Sequence, residues 1–546
     1  MALTKIDKMN KLINNVSPTL FTALAIKSLL ILAAFLSPTD LHEYFGINDS
    51  SSNSLIDFAP EVWVSLLAFV FGTLIIVISI AAASTPKLID LFISDVRSRL
   101  YIWLITLSTA ENIILQPQSR EHLFVNNLIF INSYLLLPLF GIIAIPYIYY
   151  ILSFTKNSNV IDLISKENMA AIRNAVKINS AKKINANHYT LIETINQLQD
   201  LHQYIQFKEP KGVIIHRMCE SLRLYIRLKP DFPNRHFILG HVVKDDFHFA
   251  ILEGDYTVLE EKKIFYENKV LGALGSSYLL LIKDSHYDLA SLCGSELLGV
   301  GKVAISMADE ENVKLILTQF NTFIRYGINH GLKTREIRCA YNMIYHYGHF
   351  VALLVAEQQE LKVKLCFQYL CFYLNEVIRL SLSEPLFIVL GNSLASKLKE
   401  ILIMINQHDF KRENQGAMIL MMNTSSPMKN QLIVHGRVDV SGFRLIQIAT
   451  GLFYQSAGED VYCDYVIKTI VEDIGKLNAS DPIEILDRDF DRLMQEPEEF
   501  WEETHQGNRN MFYSPHKDQI PLFKGKVIAK IINMKAAKSL SAKEAI

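Results

Sequence analysis

Two ionisable side chains interrupt long apolar stretches near the start of this sequence. Lys27 lies in the first stretch and Glu111 lies in the third. A charged side chain at the centre of a membrane-spanning helix costs about 2.5 kcal/mol or more, so such residues often mark ion or proton pathways. Thr109 and Asn112 would add polar groups beside Glu111, which could pair with Lys27. The alternative is that Glu111 lies at the membrane interface, because it is only a few residues from the end of its stretch.

Histidines and tyrosines concentrate in a second region of the chain. His346 and His349 are three residues apart, which places them on one face of a helix, as metal-ligand pairs often are. No carboxylate lies at a supporting position between them, and the zinc-protease motif is absent. We therefore expect a hydrogen-bonded cluster, with Asn329 and His330, that forms a ligand or partner site. The sequence predicts no metal site and no cofactor.

The remaining motifs do not predict an enzyme class. Gly299-Val-Gly301-Lys302 is reminiscent of a phosphate-binding loop, but Val303 follows the lysine where serine or threonine is required. A strand with a glycine bulge explains this run better. No nucleophile elbow, kinase signature or Rossmann fingerprint is present. The 6 cysteines are expected to be free thiols in a reducing cytosol, and a net charge of −2 predicts no nucleic-acid partner.

The positions of these residues depend on how the apolar stretches cross a bilayer. Four spans are predicted, over residues 19–36, 62–84, 100–115 and 125–152. The second has no charged residue and extends roughly 34 Å, against a hydrocarbon core of about 30 Å. Lys and Arg are frequent before the first span, after the second and after the fourth, which predicts that both termini are cytoplasmic. If 100–115 does not span, the soluble region lies on the opposite side.

Beyond the apolar stretches the sequence pattern changes twice. Short runs rich in β-branched and aromatic residues, such as HFILGHVV and SYLLLIKD, predict a small sheet or barrel, and helical periodicity dominates on either side. The expected fold is a membrane α-helical domain of four transmembrane helices, followed by an α+β cytosolic region with a small β unit and a helical layer. The expected domains are a cytosolic N-terminus (1–18), the transmembrane domain (19–152), a helical connector (153–229), the β domain (230–307), a helical domain (308–480) and a charged C-terminal tail (481–546).

Two short motifs carry a resemblance to a known family. Residues 84–95, STPKLIDLFISD, follow the second span, and residues 326–329, YGIN, are expected between two helices. They resemble the Ser-Pro-Arg-Leu motif and the Gly-Ile-Asn-Asp-Pro turn of a bacterial family of predicted multi-pass inner-membrane proteins of unknown function. Thr85 interrupts Ser-Pro, and His330 and Gly331 replace Asp-Pro. The resemblance implies a similar architecture and a location in the bacterial inner membrane, and it implies no catalytic residue.

Three functions are compatible with these observations. The first is an oligomeric channel, transporter or sensor with a cytosolic regulatory domain; four spans are too few to enclose a wide pore, so a conducting form requires a homo-oligomer. The second is a membrane-anchored binding or scaffolding module. The third is a membrane-bound enzyme that uses His330, His346 and His349. The lipid bilayer and a second copy of the chain are the expected partners, and a non-enzymatic function is favoured.

Overall fold

The structure, a computed structural model, divides the chain into two compact units. It describes residues 2–45, 49–84, 96–115, 123–153, 156–250, 256–408, 410–424, 441–475, 482–495, 512 and 514–544, which form helices and connecting loops without a β-strand. We call Met1–Lys166 with Asp200–Pro210 the membrane unit, and Glu167–Gln199 with Lys211–Ile546 the helical unit.

The membrane unit contains most of the strongly apolar helices. They are α1 (Ala2–Leu36), α2 (Leu41–Tyr44), α3 (Asp49–Ser84), α4 (Val96–Leu115), α5 (Leu123–Phe130), a π-helix (Ile131–Leu136) and α6 (Leu137–Ser153). Three further helices, α7 (Asn157–Ala175), α8 (Ala181–Tyr204) and α9 (Lys208–Leu228), contribute residues to both units.

Helix α4 is central to the packing of the membrane unit. It packs against both α1 and α3, and α3 packs against α6. Tyr101 on α4 donates a hydrogen bond to the Phe140 carbonyl at 3.0 Å, and its ring lies 4.3 Å from that of Tyr147. Large apolar side chains face outwards on the same helices, which water would disfavour but lipid would accept. Examples are Phe21, Leu29, Ile75 and Ile142.

Four helical segments among the described residues are long and apolar enough to cross a membrane. They are Pro18–Leu36, Phe58–Ile76, Leu123–Leu152 and Tyr287–Ser306. The first three overlap predicted spans. The predicted third span, 100–115, lies in α4, whose hydroxyl, amide and carboxylate side chains make it less apolar. The fourth segment instead belongs to the helical unit.

The helical unit is built from helices of mostly 13 to 25 residues after a series of short ones. The short elements are 3-10 helices (Lys229–Asp231 and Asn234–Phe237), α10 (His241–Lys244), α11 (Phe247–Ala250) and α12 (Tyr256–Glu261). The longer helices are α9 (Lys208–Leu228), α13 (Phe265–Lys283), α14 (Tyr287–Ser306), α15 (Glu310–Thr334), α16 (Arg338–Ala356), α17 (Glu360–Ser381), α18 (Phe387–Gln407), α19 (Arg412–Thr424), α20 (Ser441–Ser456), α21 (Asp460–Ile474), α22 (Pro482–Gln495) and α23 (Ile520–Glu544).

From α13 onwards the helices stack in two layers. Helices α14, α16, α18 and α20 lie side by side in one layer, and α13, α15, α17, α19 and α21 form the other. Neighbouring helices also pack across the layers. Several short links contain a residue with positive φ, namely Ser285, Ala308, Arg335, Gln358 and Gly458. The arrangement is that of an α-solenoid, in which stacked helical pairs create an extended surface.

The predicted small β unit in residues 230–307 is wrong, because the described residues of this region, 230–250 and 256–307, are helical wherever they have regular structure. The run SYLLLIKD belongs to α13, and the glycine-containing run expected to be a strand with a bulge lies in α14. Both helices are enclosed by neighbours, so apolar residues occupy more than one face of each helix. A short apolar run of this kind does not distinguish a buried helix from a buried strand.

Three further expectations concern residues 326–329, the C-terminal tail and the motif at 84–95. Residues 326–329, expected between two helices, lie within α15. The expected charged tail contains α22 and α23, and Leu486, Phe490 and Phe523 there are buried. Except for Ser84, the motif at 84–95 that carries the family resemblance lies outside the described residues.

Replacing Gly301 with alanine tests the close packing of α14 on α16. A Cβ at this position would lie 2.7 Å from Cε2 and 2.8 Å from Cδ2 of Phe350, whose ring is fully buried. We expect Gly301→Ala to lower the free energy of unfolding by about 1–3 kcal/mol, which outweighs the better helix propensity of alanine, about 1 kcal/mol. Chemical denaturation of the full-length protein in detergent measures the change.

Gly416→Ala is the matched control, because nothing lies within 4 Å of a Cβ at this position in α19. We expect the free energy of unfolding to stay the same or to rise by up to about 1 kcal/mol. Equal destabilisation by the two substitutions would contradict the packing described here.

Candidate functional site

A buried ion pair joins α1 to α4 in the membrane unit. Nζ of Lys27 lies 2.6 Å from Oε2 of Glu111, and the same ammonium donates a hydrogen bond to Oδ1 of Asn132 at 3.0 Å. The side chains of Lys27 and Glu111 are 7% and 15% exposed. Three elements, α1, α4 and the π-helix, therefore meet at one ammonium group.

The cluster around this ion pair has unused hydrogen-bonding capacity. Oε1 of Glu111 and Nδ2 of Asn132 have no hydrogen-bond partner among the described residues. Three further buried polar atoms on α4 and the π-helix also have no partner there, namely Nδ2 of Asn112, Oγ of Ser108 and Oγ of Ser133. Buried polar atoms in proteins normally have partners, and each exception calls for an explanation, such as a ligand or an ordered water.

Thr109 has a different role from the one expected for it. Its hydroxyl donates to the Ile105 carbonyl one turn earlier in α4, at 2.9 Å. This bond satisfies the hydroxyl within its own helix. Of the four residues predicted for an ion or proton pathway, Lys27 and Glu111 form the ion pair, and Asn112 has an Nδ2 without a partner among the described residues.

The π-helix supplies residues that the sequence analysis did not single out. Asn132 and Ser133 lie in Ile131–Leu136, where the Leu137 amide donates to the Asn132 carbonyl in the wider pattern of a π-helix. Single turns of π-helix inside α-helices occur frequently at functional sites. The only sequence signal was the presence of these two polar residues in an otherwise apolar segment.

The predicted histidine site is only partly assembled in the helical unit. His346 and His349 line a cleft of about 510 Å³ between α14 and α16, together with Asp288, Ser291 and Ser295. Nε2 of His346 lies 3.2 Å from Oγ of Ser291. The ring of His349 packs on that of Tyr345, with their centroids 4.5 Å apart.

The other two predicted residues are not in this cleft. Asn329 and His330 lie on α15, and the His330 ring packs near Tyr287 at a centroid distance of 6.0 Å. Across the described ranges, no group of three or more His, Cys, Asp or Glu side chains is arranged to hold a metal ion. The side chains that line the cleft include Asp288, Ser291 and Ser295, which can form hydrogen bonds.

A buried polar network that the sequence analysis missed joins α13 to α15. Lys229 contacts Oε1 of Glu267 at 2.7 Å and Oδ2 of Asp309 at 2.8 Å, and Asn312 donates to the same Glu267 oxygen at 3.1 Å. Glu267 is completely buried, and burial raises its pKa. Because the Glu267 carboxylate is closed to solvent, we interpret this network as a structural link between the helices.

Buried histidines predict how the stability of the helical unit depends on pH. Burial lowers the pKa of His346 to about 4, while an unfolded histidine titrates near 6.5. Between these two pKa values the unfolded chain binds a proton at His346 and the folded chain does not. The free energy of unfolding is therefore highest above about pH 6.5 and falls as the pH drops towards 4. Each such histidine contributes a slope of up to about 1.4 kcal/mol per pH unit. We expect His346→Gln to make the loss of stability with falling pH shallower.

The comparison variant is His241→Gln, which changes an exposed histidine of the same unit. Denaturation of the full-length protein at pH 7, 6 and 5 measures both slopes. An unchanged slope in His346→Gln would contradict the assignment of a buried, neutral imidazole.

Comparisons with known proteins identify no relative of this chain. The chain matches no family model, no curated protein and no solved structure. Its function must therefore be inferred from the contacts of its own side chains.

Proposed function

We propose that this chain is a multi-pass membrane protein that exchanges a proton at Glu111, as part of an ion-translocating or ion-sensing membrane unit. The ion pair between Lys27 and Glu111 carries this proposal. Ionisable residues inside apolar helices are costly and are usually retained for function. The unpartnered Oε1 of Glu111 leaves the carboxylate with room for a further donor or a proton.

Protonation of Glu111 would change the balance of forces in the cluster. A neutral carboxyl group cannot compensate the charge of the Lys27 ammonium, which would then have only neutral acceptors, the Glu111 carbonyl oxygen and Oδ1 of Asn132. Breaking a buried ion pair by removing one charge typically costs about 3–5 kcal/mol. A change of that size would shift an equilibrium between two arrangements of α1 and α4 by a factor of about 100 or more.

The proposed topology has four spans, formed by α1, α3, α4 and the α5–α6 segment. Helix α4 has 20 residues, so it is about 30 Å long and matches the hydrocarbon core. Helix α14 is better explained as a core helix, since it packs among α13, α15 and α16 and its Glu296 pairs with Arg223 at 2.6 Å. Both termini then lie on the cytoplasmic side, as the Lys and Arg distribution favours.

Two finer assignments belong to the same proposal. The family resemblance supports the bacterial inner membrane as the location. A homo-oligomer would supply the additional helices that a conducting path needs, because four spans do not enclose a wide pore.

Proton flux into liposomes tests the role of Glu111. We expect the reconstituted full-length protein to move protons down an imposed pH gradient, and we expect Glu111→Gln to reduce the rate at least tenfold, because the amide cannot ionise. A pH-sensitive dye inside the vesicles measures the rate.

Thr106→Val is the matched control on the same helix, since the Thr106 hydroxyl donates to the Ile102 carbonyl at 2.8 Å and is satisfied there. It should retain the original rate. Equal rates in all three proteins would rule out proton exchange at Glu111 as the function.

The cleft in the helical unit favours a second candidate function, a membrane-anchored binding module. Stacked helical pairs commonly present extended binding surfaces. Here Asp288, Ser295 and His349 place polar groups in a cleft of about 510 Å³, a size typical of ligand sites. His330 does not line this cleft, so the proposed enzyme with three cooperating histidines has no geometric support.

Photo-crosslinking in cells tests this second candidate. A photoreactive residue at Ser295 should give an adduct of defined mass that His349→Ala reduces several-fold, because both positions line the cleft. The control places the same photoreactive residue at position 276, where the natural Ser276 is exposed on α13. It should not give this adduct. Adducts from Ser295 that are insensitive to His349→Ala would contradict binding in the cleft.

A further inference from the structure

An apolar groove of about 380 Å³ lies among α1, α4 and the α6 segment of the membrane unit. Its walls include Leu30, Leu100, Leu104, Leu139 and Ile143. Two cationic side chains, Lys27 and Arg97, also line it. The groove therefore combines a surface suited to hydrocarbon with positive charge.

The two cations have different partners. The ammonium of Lys27 is held by Glu111, so mainly its aliphatic stem is available to the groove. Arg97 has no carboxylate partner among the described residues, and its guanidinium lies 6.0 Å from the centroid of the Tyr150 ring. Arg97 is exposed and is the second residue of α4. Of the α4 residues that line the groove, it is the one nearest the start of the helix.

The geometry points to an anionic phospholipid as the occupant of this groove, with its phosphate at Arg97 and an acyl chain along the apolar walls. This inference relies on the membrane placement proposed above. Inside a bilayer, hydrocarbon fills such a groove because water is excluded, and the cation selects a negatively charged headgroup. From Arg97 to Leu104 the helix rises about 10 Å, which lies within one leaflet of a hydrocarbon core about 30 Å thick.

The predicted orientation supports the same occupant. Arg97 lies in the basic segment after the second span, which the Lys and Arg distribution assigns to the cytoplasmic side. The cytoplasmic leaflet carries anionic lipids, and each nearby Lys or Arg strengthens their attraction by about 1 kcal/mol. An acyl chain seated here would also cover the stem of Lys27 and help to keep water from its ion pair.

Lipid binding can be measured without reference to proton flux. The full-length protein is placed in nanodiscs of phosphatidylcholine with phosphatidylglycerol, and native mass spectrometry counts the lipids that stay bound. We expect retained phosphatidylglycerol to exceed phosphatidylcholine, and Arg97→Gln to reduce this preference about fivefold. Arg99→Gln removes the same charge two residues away, outside the groove lining, and should preserve the preference.

A second pair of variants tests the apolar walls. Leu139→Trp adds bulk inside the groove and should release the bound lipid, whereas Ile142→Trp adds the same bulk on an exposed face outside it and should not. Both positions are exposed, at 46% and 70%, so each tryptophan fits without disturbing the core.

Two outcomes would overturn the inference. One is equal loss of lipid preference in Arg97→Gln and Arg99→Gln, which indicates general surface attraction. The other is retention of bound lipid in Leu139→Trp. Either result leaves the proton-exchange proposal standing, because the flux assay with Glu111→Gln measures a different property.

Discussion

The positive charge of Lys27 is the constraint on which the membrane unit depends. An ammonium on an apolar helix needs acceptors nearby, and Glu111 and Asn132 supply them from two other elements. Meeting this need sets the rotation of α1 and α4 about their axes and brings the π-helix beside them. Oε1 of Glu111 and Nδ2 of Asn132 remain without a hydrogen-bond partner among the described residues. Chemistry and architecture therefore depend on the same contact.

The helical unit is organised by a different principle. Its helices stack in two layers, and stability arises from contacts between neighbours. Small residues permit close approach where layers meet: a Cβ on Gly327 would lie 2.8 Å from the Ala340 backbone nitrogen, so α15 and α16 could not pack as they do. The buried carboxylate of Glu267 is paired with Lys229 within this packing. The same stack forms the cleft lined by His346 and His349.

The two polar sites differ in what they can do. In the proposed function, adding one proton to Glu111 leaves Lys27 without a negatively charged partner. The cleft between α14 and α16 contains a neutral His346 beside Ser291, which suits recognition of a polar group. Neither site holds a completed catalytic arrangement among the residues described.

The apolar helices of the membrane unit follow from sequence alone, because long uncharged runs have few other stable environments. The rarity of charges in those runs also identified Lys27 and Glu111. Their meeting with Asn132, and the separation of His330 from His346, depend on helix rotation and packing, which residue spacing does not encode. The helical structure of α13 and α14 was missed because burial of both helices on several sides removes the polar face that would have revealed a helical period.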